Sequence, residues 1–496
     1  MDVSRALGRE PAMYIDGSWV TANETRPVIN PSDESIIAAV PEAEADHAGR
    51  ALEAAQRAQR KWGRGSGPER GTVLRAVADG IRARREELAR LVVAEQGKTI
   101  TEARGEAAAA AGFFDYYATF ERAQVGGMFA PDERNEHLLV RSVPYGVVAG
   151  IIPWNYPAAL FARKVAPAIM AGNAIVLKPH EDTPLAALAL AGIMEEAGVP
   201  PGVVNVVTGA GRVVGDALVR HPITRMVSMT GSVRGGREIL AAAAAENITP
   251  VSLELGGKAP FIVLEDADLG AAVENAVDAR FWNCGQVCTC NERTYVQRGV
   301  YDEFVERFVE AASNLRMGDP AREDVQMGPK VNEPELVKVE AMVNDAVEQG
   351  ASVALGGGRP EGEEFEKGYW FEPTVLTGTT NDMDIVQDEV FGPVLPIQPF
   401  DEFGEVVDLA NDSRYGLTAY VFTSDLHKAM RAIDDIDFGE IYVNKIGPEQ
   451  LQGFHTGYRL SGMGGDDGPY GYERYLRRKT VYLHYDGFGT PAELHP

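Results

Sequence analysis

The most informative stretch of this chain, residues 281–290, reads Phe-Trp-Asn-Cys-Gly-Gln-Val-Cys-Thr-Cys. Upstream of it stand Glu-Leu-Gly-Gly at residues 254–257 and Pro-Trp-Asn-Tyr-Pro at residues 153–157. A thiol nucleophile, a carboxylate base and a side-chain amide donor are the groups that acyl chemistry on a carbonyl carbon requires. The three stretches therefore predict an enzyme in which Cys288, Glu254 and Asn155 act together.

The length and composition indicate a globular protein of several domains. The 496 residues are too many for one hydrophobic core, so two or three domains are expected. No apolar run is long enough to span a membrane, and the N-terminus lacks the pattern of a signal peptide. We therefore expect a cytoplasmic protein.

The charge of the chain is strongly negative, with a formal net charge of -26. Such self-repulsion keeps a protein soluble and disfavours nucleic acid and anionic membranes as partners. The acidic excess is typical of proteins in a high-salt cytoplasm, and it also occurs in acidic proteins of ordinary cells.

All three cysteines fall within seven consecutive residues. Their C-x3-C-x-C spacing is not a common zinc pattern and no histidine is close, so no metal site is predicted. Cys284 and Cys290 are interpreted as small buried hydrophobic residues.

Two regions alternate short apolar strands with helices. A helical region at residues 45–122 precedes them, with blocks at 51–62, 70–95 and 102–122, and its charged faces are expected to be solvated or to pack.

In the first alternating region, strands are predicted at 147–152, 174–178, 203–208 and 226–229, and helices at 158–170, 184–197, 213–220 and 235–245. Further strands are predicted at 261–264, 293–297 and 394–400, with helices at 301–315 and 333–349. This alternation predicts an α/β protein with a doubly wound parallel sheet, followed by a second α/β domain that carries Cys288.

In their order and spacing over nearly the whole chain, these motifs resemble the aldehyde dehydrogenase superfamily. The resemblance implies a Rossmann-type dinucleotide-binding domain from residues 1–118 and 139–250, and a catalytic domain from 251–450. It also implies a β oligomerisation arm from 119–138 and 472–496, with a strand at 480–485, and hence a homo-oligomer, dimer or tetramer.

The resemblance implies roles for the three chemical residues. Cys288 forms a thiohemiacetal, the side chain of Asn155 and the backbone N–H of Cys288 hold the oxyanion, and Glu254 activates the water that hydrolyses the thioester. A hydrolytic base disfavours transfer to coenzyme A and reactions of acyl phosphates. Alternatives remain: Asn155 as the cap of the helix near Pro157, Glu254 as a lone carboxylate at a strand end, and the whole chain as a silent nucleotide-binding or structural protein.

The cofactor is expected to be NAD. The chain has no G-x-G-x-x-G. Its Gly-rich turn at 209–215 is one residue too long for that pattern and is also compatible with a plain turn, whereas the N–H groups and the Ser hydroxyl of the turn at 230–236 suit a pyrophosphate. In the resembled family Lys178 and Glu181 bind the adenosine ribose, where a carboxylate repels a 2′-phosphate, although His180 departs from the usual small residue. The same four residues, 178–181, also fit a surface turn. The full set of implied contacts is Ile152, Trp154, Lys178, Glu181, Gly211, Gly215, Ser232, Gly236, Glu389 and Phe391.

The substrate prediction rests on residues 452–468, whose Gly-Phe-His version resembles the lactaldehyde and glycolaldehyde dehydrogenases. Arg163 and His455 are predicted to hold a small hydroxylated aldehyde, with a packing salt bridge and a loop histidine as the alternatives. Thr289 stands where lactaldehyde-type enzymes have an asparagine, and its shorter side chain leaves room for a different or larger substrate. Succinic semialdehyde, 2,5-dioxopentanoate and betaine aldehyde remain alternative substrates.

Overall fold

The computed structural model describes residues 3–123 and 126–485, which form two large sheets with helices on their faces. The first sheet has eight strands, in the order Gly462–Met463, Val251–Glu254, Met226–Thr230, Val147–Ile151, Ala174–Lys178, Val204–Val206, Met13–Ile15 and Ser18–Val20. Its five central strands are parallel, and the strands at both edges are antiparallel.

The central strands of this sheet are apolar because helices cover both faces. Every residue of Ala174–Lys178 is buried, for example. The helices of this half of the chain are Val3–Leu7, Ala45–Trp62, Gly67–Ala83, Arg85–Gln96, Ile100–Ala118, Pro157–Met170, Leu185–Glu196, Asp216–Arg220 and Val233–Ala245. The predicted doubly wound arrangement is confirmed.

The second sheet has seven strands, of which all but the first are parallel. Their order is Ser352–Leu355, Thr374–Thr377, Val394–Phe400, Asn291–Gln297, Ala259–Val263, Thr418–Phe422 and Glu440–Val443. The accompanying helices are Leu269–Phe281, Arg298–Ser313, Glu333–Glu348, Asp384–Gln387, Phe403–Asn411 and Leu426–Asp435. The second α/β region is thus confirmed.

A third sheet joins Gly126–Phe129, Glu136–Pro144 and Leu476–His484, the last strand following the helix Gly468–Arg474. This final strand begins four residues earlier than predicted. A separate hairpin pairs Thr25–Ile29 with Ile36–Pro41. Residues 124–125 and 486–496 of the predicted arm lie outside the described residues. The domain boundaries stay a prediction, and the strands of residues 251–254 and 462–463 pair within the first sheet.

Two helix predictions need correction. The block predicted at 70–95 is two helices, because Arg84 (φ -107°, ψ 20°) ends one and precedes the next while its guanidinium donates to the carbonyl of Ala6. The helix predicted at 213–220 begins at Asp216, after a wide helical turn at Gly211–Gly215. Among the described residues, no helix combines the length and apolarity needed to cross a membrane.

Candidate active site

Asn155 lies in the turn between the strand Val147–Ile151 and the helix Pro157–Met170. The capping alternative is wrong, since Tyr156 occupies the N-cap position and the first helical N–H groups donate to Glu106 Oε1 instead. The buried Asn155 Nδ2 donates to the carbonyl of Gln286 at 3.0 Å. A primary amide has two N–H groups, so one bond fixes the side chain and the second is available to an oxyanion.

The loop that carries Cys288 begins with three consecutive residues in left-handed conformation. Asn283, Cys284 and Gly285 have φ values of 52°, 55° and 68°. This is costly for the two non-glycine residues and persists only where the surroundings enforce it. Glu102 Oε1 accepts the Asn283 N–H at 2.6 Å, and Asn283 Nδ2 donates to the carbonyl of Asn155 at 3.1 Å. The loop that carries Cys288 and the turn that carries Asn155 are therefore fixed to each other.

A buried charged group under this loop was not predicted from the sequence. The Lys98 ammonium lies 2.5 Å from Glu106 Oε2 and donates to the Asn155 carbonyl at 2.8 Å. Glu102 and Glu106 stand one turn apart on the helix Ile100–Ala118. A single sequence gives no signal that separates these charges from the solvated ones around them.

Cys288 is a free thiol in the wall of a cavity of about 650 Å³ that also contains Asn155. Burial raises the pKa of the Cys288 thiol, and a hydrogen bond with His455 opposes that rise. Burial raises the pKa of both Cys284 and Cys290 to about 12. These two remain neutral thiols at physiological pH, in keeping with a packing role.

Glu254 ends the strand Val251–Glu254 and is 2% exposed. Its two carboxylate oxygens accept no hydrogen bond from any described residue, and burial raises its pKa to about 8 against the opposing charge of His455. Glu254 does not line the cavity, whereas Leu255, Gly256 and His455 do.

The two glycines after this strand are needed for close approach. A Cβ at Gly256 would overlap the carboxylate of Glu389, and a Cβ at Gly257 would overlap the carbonyl oxygen of Cys288. The Gly257 N–H donates to Glu389 Oε1 at 2.7 Å. The Glu-Leu-Gly-Gly pattern thus brings the strand of Glu254, the Cys288 backbone and Glu389 together.

The predicted nicotinamide end is organised around Phe391. Its ring meets Trp154 edge-on at 5.4 Å, and its backbone has a φ of 54°. Buried Glu292 accepts the N–H groups of Val390 and Phe391 at 3.0 and 3.1 Å. Burial of Glu292 is outweighed by Lys258 and Arg280, which lower the pKa of its carboxyl to about 2.

The predicted adenosine end lies outside the cavity. Glu181 Oε1 accepts the Gly211 N–H at 2.7 Å, and its other oxygen lies 3.4 Å from the Lys178 ammonium. Burial of Glu181 is outweighed by these partners and His180, so its pKa falls to about 2, whereas burial lowers the pKa of His180. Of the ten predicted cofactor residues, the cavity wall holds Trp154, Ser232, Glu389 and Phe391, and not Ile152, Lys178, Glu181, Gly211, Gly215 or Gly236.

The second Gly-rich turn fits a phosphate group. Ser232 caps the 13-residue helix Val233–Ala245, whose N-terminal N–H groups favour an anion. Beside it the buried Thr230 hydroxyl has no hydrogen-bond partner among the described residues. A dinucleotide that passes this turn toward Trp154 and Glu389 would offer hydrogen-bond acceptors to the helix N–H groups and to the Thr230 hydroxyl.

Comparison with known proteins decides the family. The pattern of the Aldehyde dehydrogenase family matches residues 19–481. The chain belongs to the aldehyde dehydrogenase family. The predicted fold and the predicted activity, oxidation of an aldehyde with NAD or NADP as acceptor, are confirmed.

Several members of the aldehyde dehydrogenase family are similar over nearly the whole chain. The 3,6-anhydro-alpha-L-galactose dehydrogenase of Streptomyces coelicolor is 56% identical, covering 97% of this chain and 98% of its own. The lactaldehyde dehydrogenase of Escherichia coli is 47% identical, covering 95% and 98%. The structure of a 3,6-anhydro-L-galactose dehydrogenase in complex with NAP has a TM-score of 0.94 at 49% identity, covering 96% of this chain and 100% of that one.

The three predicted substrate residues of this aldehyde dehydrogenase all line the cavity. Arg163 also makes the packing salt bridge that was the alternative, since its Nη2 lies 2.8 Å from Asp467 Oδ2 and 3.9 Å from Glu449 Oε2. Burial raises the pKa of Glu449, but His455, Arg163 and the Thr289 hydroxyl outweigh burial and lower that pKa.

Glu449 and Asp467 were missed by the sequence reasoning. Asp467 lies in the same Gly-rich segment as His455, and this shared segment is the sequence feature that could have identified it. Glu449 precedes that segment and carries no motif of its own.

Proposed function

We propose that this aldehyde dehydrogenase oxidises a 2-hydroxyaldehyde to the carboxylic acid, with NAD as acceptor and with Cys288, Asn155 and Glu254 as its catalytic residues. The observation that carries the proposal is the common cavity. It holds the Cys288 thiol and the Asn155 amide beside a polar end formed by Arg163, Glu449 and His455.

The protein's own groups account for the covalent steps. The thiolate of Cys288 attacks the aldehyde carbon, and the Asn155 amide and the Cys288 backbone N–H stabilise the oxyanion. When bound, the dinucleotide supplies the acceptor for the hydride that leaves this carbon. Glu254 then turns toward the resulting thioester and takes a proton from the water that hydrolyses it.

The names of several relatives support a hydroxyl beside the aldehyde carbon, whereas relatives at 39% and 40% identity act by name on betaine aldehyde and succinate semialdehyde, which lack it. Besides the anhydrogalactose and lactaldehyde enzymes, relatives at 38–41% identity act by name on D-glyceraldehyde and 3-sulfolactaldehyde. All four aldehydes carry a hydroxyl on the carbon next to the carbonyl. A site built to bind such a hydroxyl discriminates strongly against analogues that lack it, because its buried polar groups are left unpaired. Since the 56% relative is an anhydrogalactose enzyme, 3,6-anhydro-L-galactose joins lactaldehyde and glycolaldehyde as a candidate substrate.

A panel of aldehydes tests the substrate class. We expect kcat/KM to be higher for lactaldehyde than for propanal, and the ratio to shrink in Arg163→Leu because that variant removes a donor from the polar end. Succinic semialdehyde, 2,5-dioxopentanoate, betaine aldehyde and 3,6-anhydro-L-galactose complete the panel. If propanal is the better substrate of the unaltered protein, the 2-hydroxyaldehyde proposal is wrong.

The acceptor preference is a separate expected result. Glu181 would face a 2′-phosphate as a like charge, and neutral His180 would give no compensating attraction. Like charges at close range cost about 1–3 kcal/mol at an effective dielectric near 20, so NAD should be favoured about ten- to a hundredfold in kcat/KM. Glu181→Gln should reduce that ratio. NADP is the alternative, since a similar structure contains NAP, and equal efficiency with both acceptors would contradict the assignment to Glu181.

We also propose that the protein is a cytoplasmic homo-oligomer, a dimer or tetramer. Its three-stranded sheet supports this, because the side chains of Met128, Phe129, Tyr482 and Leu483 are exposed on it by 67%, 55%, 74% and 47%. Apolar surface of this kind marks an interface with another chain. The three free cysteines are in keeping with a reducing compartment. Analytical ultracentrifugation of the purified protein checks the oligomer, and a monomer at micromolar concentration contradicts it.

A further inference from the structure

His455 occupies a position that a simple substrate contact does not require. It is 2% exposed, and its backbone exchanges two hydrogen bonds with Asp466, at 3.0 and 2.8 Å. Its Nδ1 lies 3.1 Å from Glu440 Oε2, and its Nε2 lies 3.7 Å from Glu254 Oε2. The imidazole also lines the same cavity as the Cys288 thiol, and the two groups shift each other's pKa. One ring therefore lies beside the nucleophile and contacts a carboxylate.

Glu440 fixes the orientation of this ring. It begins the strand Glu440–Val443, and its Oε2 accepts a hydrogen bond from the Thr418 hydroxyl at 3.0 Å. Because an ionised carboxylate can only accept, the contact with Glu440 assigns the proton of the neutral ring to Nδ1. The unprotonated Nε2 is then the atom available to the thiol, which is the arrangement of a nucleophile, a base and an orienting carboxylate.

The surrounding charges favour the imidazolium that forms when the ring takes the thiol proton. The ionisable groups that face His455 are Glu254, Cys288, Glu440, Glu449, Arg163 and Asp467. Arg163 is the single cation of this set, and it pairs with Asp467. Burial lowers the pKa of His455, but Glu440 and the thiol outweigh burial and hold that pKa well above its usual value.

We propose that Cys288, His455 and Glu440 form a triad in which His455 is the base that activates the thiol. His455 is then a catalytic residue distinct from Glu254. The inference rests on the assignment of Cys288 as nucleophile made above.

The proton and electron transfers of this step balance without a further reactant. Nε2 takes the proton of the Cys288 thiol, and Glu440 stabilises the imidazolium that forms. The sulfur lone pair makes the S–C bond to the aldehyde carbon, and the π pair of the carbonyl moves to its oxygen. No group is oxidised or reduced at this stage.

The position of Glu254 explains why a second base is useful. Glu254 does not line the cavity and makes no hydrogen bond with Cys288. His455 serves the attack, and Glu254 is left for the later hydrolysis.

The test is alkylation of the unliganded protein by iodoacetamide as a function of pH, which reports the Cys288 thiolate without an aldehyde. The background is Cys284→Ala with Cys290→Ala, so that a single thiol reacts. His455→Asn is expected to slow alkylation at neutral pH by about tenfold or more, which is the change in thiolate fraction for each unit of pKa. Glu440→Gln retains the imidazole and is expected to give a smaller shift in the same direction. The exposed His427→Asn is the matched control and should leave the profile unchanged.

The single-turnover rate of NADH formation with propanal separates the triad from a substrate contact. The triad requires this rate to fall in His455→Asn together with alkylation. If His455→Asn raises only the KM for lactaldehyde and leaves both alkylation and the propanal rate unchanged, His455 binds the hydroxyl and the triad is wrong. An unchanged alkylation profile in both His455→Asn and Glu440→Gln overturns the triad and leaves aldehyde oxidation through Cys288 untouched. If His455→Asn fails to fold, the profile of Glu440→Gln decides alone.

Discussion

Cys288→Ala is expected to abolish aldehyde oxidation while binding of the dinucleotide survives. In the proposed mechanism the substitution removes the one atom that forms a covalent bond with the aldehyde carbon, and none of the groups expected to hold the cofactor. Oxidation should fall to the background of the assay, measured as NADH absorbance. Titration calorimetry with NAD should give a Kd close to that of the unaltered protein.

The neighbouring cysteines provide matched controls within six residues of chain. Cys284→Ala and Cys290→Ala each remove a buried thiol whose pKa is about 12, so neither supplies a thiolate at neutral pH. Both variants should retain substantial turnover, with some loss of stability because a buried side chain is shortened. Loss of activity in Cys290→Ala as complete as in Cys288→Ala would reopen the assignment of the nucleophile.

Glu254→Gln is expected to slow hydrolysis of the thioester far more than its formation. Loss of a general base costs about 10²–10⁴ in rate, so the steady state should fall by that factor while the first turnover persists. Stopped-flow mixing with an aldehyde should show a burst of NADH followed by a slow phase. If the burst disappears as well, Glu254 acts in thiol activation or in folding.

The raised pKa of Glu254 gives this prediction a pH dependence. The base works as the carboxylate, and burial raises the pKa of its carboxyl to about 8. Hydrolysis in the unaltered protein should therefore increase with pH through about pH 8 and decline below it as the carboxyl gains a proton. Glu254→Gln has no carboxyl at this position, so the rate of its slow phase should not increase with pH in this range.

The sequence predicted the elements that have strong periodicity. The strands Ala174–Lys178 and Val394–Phe400 have the predicted bounds, because each is an apolar run flanked by clear turn residues. The division of residues 70–95 into two helices was missed. The break lies at Arg84 and not at a proline or glycine, and the Arg84 side chain hydrogen-bonds to Ala6, which is distant in sequence.

The site was predictable where a motif carries it and unpredictable where distant residues meet. The motifs identified Cys288, Glu254 and Asn155 as candidates, and the structure places Cys288 and Asn155 in one cavity. The partners of those residues come from segments without motifs. Lys98 and Glu106 hold the Asn155 turn, and Glu440 orients His455 from the far end of the second sheet. Their charges are buried in pairs, and a single sequence does not distinguish a paired buried charge from a solvated one.

The pairing of Val251–Glu254 with Gly462–Met463 has a consequence for the order in which the molecule is made. The strand that carries Glu254 is hydrogen-bonded on one side by a segment about two hundred residues later, and Asn173 Nδ2 donates to the carbonyl of Tyr475 at 2.9 Å. Contacts of such long separation form late, because the intervening loop must close first. During synthesis the ribosome has to release the chain beyond residue 463 before this edge can be paired. A nascent chain that stops short of residue 462 therefore exposes an unpaired strand edge beside the cavity, where another chain can add to it.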